Sequence, residues 1–132
     1  MLRVTALMAQ QQPRDDEQPD LVTQERVARN DALFREANEG IQEAATKYDV
    51  LERIPFICEC ADGNCRELLT LSIDEYEDIR RNPRHFLNAP GHVRAAQGAA
   101  EVVDDRGGYT IVEKTGYAGE LVEELDPRGG DG

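Results

Sequence analysis

Three cysteines and two histidines are the residues whose types and spacing suggest chemistry. Cys58, Cys60 and Cys65 stand in one short stretch, and His85 and His92 follow downstream. Three thiolates and one imidazole form the tetrahedral donor set of a structural zinc ion, with Zn–S of about 2.3 Å and Zn–N of about 2.0 Å. In an extended chain residues two apart face one side, so Cys58 and Cys60 point together. A turn over residues 61–64 then brings Cys65 round to the same face. His92 is the preferred fourth ligand, because Pro90 and Gly91 make a rigid turn that aims it back at the cysteines. His85 is the alternative. It precedes Phe86 in an extended segment, and a Phe86 turned inward would turn His85 away.

The same residues admit other readings. An odd, clustered set of cysteines points to metal or redox chemistry before it points to a disulfide framework. A cysteine redox switch is therefore one alternative. Another is that Cys58 and Cys60 are small buried hydrophobes and Cys65 a chance neighbour. Against this, Glu59 and the polar turn suggest an exposed region. A catalytic zinc would need an open position and a general base. Glu59 and Asp62 are close, but acids abound in this chain. No H-E-x-x-H, G-x-S-x-G or phosphate-binding glycine loop occurs. No catalytic residue is assigned, and a small zinc metalloenzyme stands only as an alternative.

Composition bounds the partners. Of 132 residues, 27 are acidic and 15 basic, giving a net charge of -12. That field repels phosphate backbones and anionic membrane surfaces, so nucleic acid and membrane are disfavoured. The basic cluster Arg80, Arg81 and Arg84 is outnumbered. Apolar residues make up 39% and aromatics 5%, with no Trp, so the core must be thin and a metal staple useful. No apolar run approaches the roughly 20 residues that span a bilayer, and the N-terminus does not read as a secretory signal. A cytoplasmic location is expected.

The elements that must position the cysteines follow from patterning. Residues 1–20 read as a disordered tail, polar and punctuated by Pro13 and Pro19. A single α+β domain is expected over 21–128, and a frayed C-terminus over 129–132. A long helix over 23–48 carries Val27, Phe34, Ile41 and Tyr48 every seven residues, with Thr23 as its N-cap. Ile54 to Cys60 reads as a strand, and Arg66 to Leu71 as its return, with the cysteines at the closed end of the hairpin. Ser72 and Glu75 form a capping box for a short helix that stops near Asn82, ahead of Pro83. Residues 85–92 read as a brief extended segment and turn. A second hairpin pairs 100–104 with 109–113 around Gly107 and Gly108. A last helical turn or two is expected over 118–125.

Several of these pieces resemble, as a set, an uncharacterised family of small bacterial proteins. They are Arg29 to Glu39, Phe56 to Cys60 with Cys65, Glu75 and Tyr76 with Arg80, Phe86 with Pro90, Gly91 and His92, and Tyr109 to Lys114. The resemblance spans residues 26–128 and carries a C-x-C-x4-C and P-G-H pattern. It implies a single small domain and favours His92 over His85. It supplies no substrate, reaction or partner. The expected function is a non-enzymatic, zinc-binding interaction or regulatory protein, with an acidic surface or the long helix meeting a protein partner.

Overall fold

The computed structural model describes residues 19–50 and 52–128. The chain is α+β: a long helix, two small antiparallel sheets and two shorter helices. Of the tail expected over 1–20, residues 1–18 lie outside the described residues, as does the C-terminus from 129. Pro19 and Asp20 belong to the helix start instead.

Helix α1 spans Leu21–Lys47. Its N-cap is Asp20, whose carboxylate accepts from the Thr23 backbone N–H at 2.7 Å. This corrects the expectation of Thr23, which sits inside the first turn. Strands β1 (Ile54–Ile57) and β2 (Leu68–Leu71) form the first hairpin, with Phe56 opposite Leu69. The cysteine segment lies beyond the ladder, so β1 stops short of the expected Cys60. Helix α2 (Ile73–Arg80) has the full capping box: Glu75 N–H donates to Ser72 Oγ, and Ser72 N–H donates to the Glu75 carboxylate. Tyr76 and Ile79 on its inner face are buried.

The segment before the second hairpin is more than a link. Strand β3 (His85–Asn88) pairs with β5 (Thr110–Lys114), which pairs in turn with β4 (Ala100–Asp105). The second hairpin thus becomes a three-stranded sheet with β5 at its centre. A central strand covered on both faces needs no alternation, and Thr110, Ile111, Val112 and Lys114 are all buried. Helix α3 (Gly116–Leu125) follows and packs on α1.

The core falls into two groups. One joins the hairpin, α2 and the cysteines, with the Phe56 and Tyr76 rings stacked 4.5 Å apart. The other joins α1, α3 and the second sheet around Phe86, Val112 and Val122. The face that α1 buries is only in part the expected apolar stripe: Val27 is buried and Ile41 packs against the core. Tyr48 is exposed and Phe34 only half-buried, while Gln24, Asp31, Arg35 and Asn38 are buried beside Val27, Ala28 and Ala45. The inward face of this helix is largely polar, and its partners are polar groups of the strands and of α3.

Candidate metal centre

Two loops from different sheets build the site. The β1–β2 connection supplies the cysteines. Beyond β1 the chain stays extended: Cys58 N–H donates to Glu67 O, and Glu59 N–H donates to Leu87 O on β3. Glu59 is thereby sewn between the two sheets, which leaves Cys58 and Cys60 on its other side. Asp62 then makes a tight turn: its carboxylate accepts from Asn64 N–H, and its carbonyl from Cys65 N–H at 3.0 Å. That turn returns Cys65 to the first two sulfurs.

The β3 exit supplies the histidine. Ala89 O accepts from His92 N–H at 3.0 Å across Pro90 and Gly91. Gly91 has φ +85°, a left-handed conformation that favours glycine, and Pro at the preceding position is the usual companion in such a turn. His92 Nδ1 lies 3.6 Å from Cys58 Sγ and 3.6 Å from Cys65 Sγ. The donor atoms of Cys58, Cys60, Cys65 and His92 all lie within 4.8 Å of one another. A zinc tetrahedron with ordinary bond lengths has S···N edges of about 3.5 Å. The four side chains therefore fit a metal ion, and protein donors fill all four corners.

His85 is elsewhere. Its Nε2 faces the Glu113 carboxylate at 3.0 Å, across the β3–β5 ladder. Its neighbour Phe86 is fully buried on the opposite side of the strand.

The sulfurs are also prepared by their surroundings. Ala89 N–H donates to Cys58 Sγ at 3.2 Å, and the backbones of Asp62 and Glu67 serve Cys60 and Cys65. Such donors favour thiolate. Cys60 is held down to about 5, first by the hydrogen bond from Cys58. That same bond, with burial, pushes Cys58 up, and burial pushes Cys65 up.

The expectation of an exposed cluster does not hold. Glu59 is 0% exposed, and all three cysteines are buried. Burial pushes the Glu59 carboxyl up, against the pull of Arg35 and its hydrogen bonds. It accepts from Asn38 Nδ2 at 2.8 Å and from Leu87 N–H at 2.9 Å. Asn38 also bridges both backbone groups of Ile57, and Asn30 Nδ2 donates to Ala61 O. Helix α1 thus grips the cysteine loop by two asparagines. These supporting residues were missed in the sequence. Asn is a poor helix former because its side chain seeks backbone partners, so two of them within one helix were the available signal.

No family model matches the chain, and neither a curated protein nor a solved structure matches it. Among the described residues, no helix is long and apolar enough to cross a membrane.

Proposed function

We propose that this chain is a non-enzymatic interaction or regulatory protein whose fold is held by one structural zinc ion on Cys58, Cys60, Cys65 and His92. The observation that carries the reading is the pair of 3.6 Å separations from His92 Nδ1 to two sulfurs. They match the edge of a zinc–thiolate–imidazole tetrahedron. With four protein donors converging, no corner remains for the water that a catalytic zinc requires, which disfavours the metalloenzyme. Zinc suits three thiolates better than the harder divalent ions do. An odd, clustered set of three cysteines and a net charge of -12 fit a cytoplasmic protein that meets a basic protein partner.

Metal analysis of protein purified without added metal tests the proposal. One zinc per chain is expected, lost with folding in Cys58→Ser and Cys65→Ser. His92→Ala should release the metal, and His85→Ala should retain it. A metal-free chain with two of the three cysteines joined reversibly in a disulfide would replace the zinc reading with a redox switch. An exchangeable water on the bound metal would replace it with an enzyme. Co-purification from the native cell addresses the partner.

A further inference from the structure

Asp31 on α1 and Lys114 on β5 meet in the interior with both side chains 0% exposed. They are in direct contact, and apart from each other neither the Asp31 oxygens nor Lys114 Nζ has a hydrogen-bond partner among the described residues. The Phe86 ring lies 5.0 Å from Lys114 Nζ. A buried ion pair recovers its desolvation cost only when the remaining lone pairs and protons are satisfied. Here they are not. Glu59, by contrast, has two hydrogen-bond donors.

We propose that Asp31 and Lys114 are joined by an intramolecular isopeptide bond, formed by the protein itself between Asp31 Cγ and Lys114 Nζ. Transfer of one proton within the pair gives a carboxylic acid beside a neutral amine, the two reactants of amide formation. The lone pair of Nζ attacks Cγ and the C–N bond forms. One C–O bond breaks, and the hydroxyl leaves with an Nζ proton as water. Nothing is oxidised or reduced, and no co-reactant enters. Three features favour the step. The fold holds the atoms in contact, which replaces a bimolecular encounter by an intramolecular one. Burial favours the neutral acid, raising the Asp31 carboxyl to about 7 against the pull of Lys114. Burial also excludes the water that would reverse the reaction. The product amide removes the uncompensated charges and ties the long helix to the central strand of the second sheet.

Intact mass spectrometry of the full chain, denatured and freed of metal by chelator, tests this. The expected mass is one water below that of the sequence, and a protease digest should yield a branched peptide containing Asp31 and Lys114. Asp31→Asn should form the same amide with loss of ammonia, while Lys114→Met should show its full sequence mass. A wild-type chain at full mass after prolonged incubation, with Lys114 open to an amine-reactive label in denaturant, overturns the proposal. So does a loss of water that persists in Lys114→Met. Neither result depends on whether zinc is bound.

Discussion

At the residue scale, Asn38 shows how a side chain remote from the sulfurs positions them. Its amide serves Ile57 on both backbone groups and Glu59 on its carboxylate. Asn38→Ala leaves both Ile57 backbone groups without a partner and Glu59 with Leu87 N–H alone, at a cost of about 3 kcal/mol. Urea unfolding with zinc in excess should show this as a lowered midpoint. The cluster that could hold a metal, Cys58, Cys60, Cys65 and His92, was legible in the sequence, because Cys and His announce their chemistry by type and spacing. Glu59 was not. A charged residue in a polar loop reads as exposed, and only the pairing of its backbone with Leu87 draws it inside.

At the element scale, α2 and the chain end after α3 behave differently. The capping box of α2 is local, built from residues three apart, and was readable for that reason. Ser72→Ala should lower stability by about 1 kcal/mol, seen as a small drop in Tm without loss of metal. The C-terminal contact is long-range. Asp126 meets Arg80 and Arg35, and Arg128 meets Glu39 and Glu77. Arg35 and Arg80 have fully buried side chains, and Arg35 also lies over the Phe86 ring at 3.6 Å. Truncation after Leu125 leaves two buried guanidinium groups short of a carboxylate, a loss of about 3–5 kcal/mol. Thermal unfolding should show a larger drop for that truncation than for Arg128→Ala, since Arg128 is partly exposed.

At the scale of the whole molecule, the same carboxylates make stability depend on pH. Burial alone would raise Asp126. The hydrogen bonds from Arg80 and the Arg128 backbone, with the charges of Arg35 and Arg80, outweigh it and hold the group below its usual 3.8. Glu39 is likewise lowered: hydrogen bonds from Arg128, Tyr76 and Arg80 outweigh burial. A depressed folded pKa adds stability that is present above the unfolded value, about 4, and is lost as pH falls through the folded one. Acid would also release a metal held by the cysteines, which would act in the same direction. Asp126→Asn separates the two: it should be weaker at neutral pH and show a shallower decline below about pH 4. Equal slopes for both proteins would exclude the contribution from Asp126.

The local features were determined by the sequence alone. The three clustered cysteines, the capping box, the hairpin at Gly107 and Gly108 and the turn before His92 all rest on neighbours a few residues apart. Such contacts carry their own signal in residue type and spacing. The tertiary structure alone decided which face of α1 is buried. The seven-residue spacing of Val27, Phe34, Ile41 and Tyr48 marked only part of that face, and the helix turns Asp31, Arg35 and Asn38 inward beside Val27. The reason is that their partners, Lys114, Asp126 and Glu59, stand far along the chain on other elements. A polar residue is worth burying only when a distant partner meets it, and no local pattern reveals that meeting.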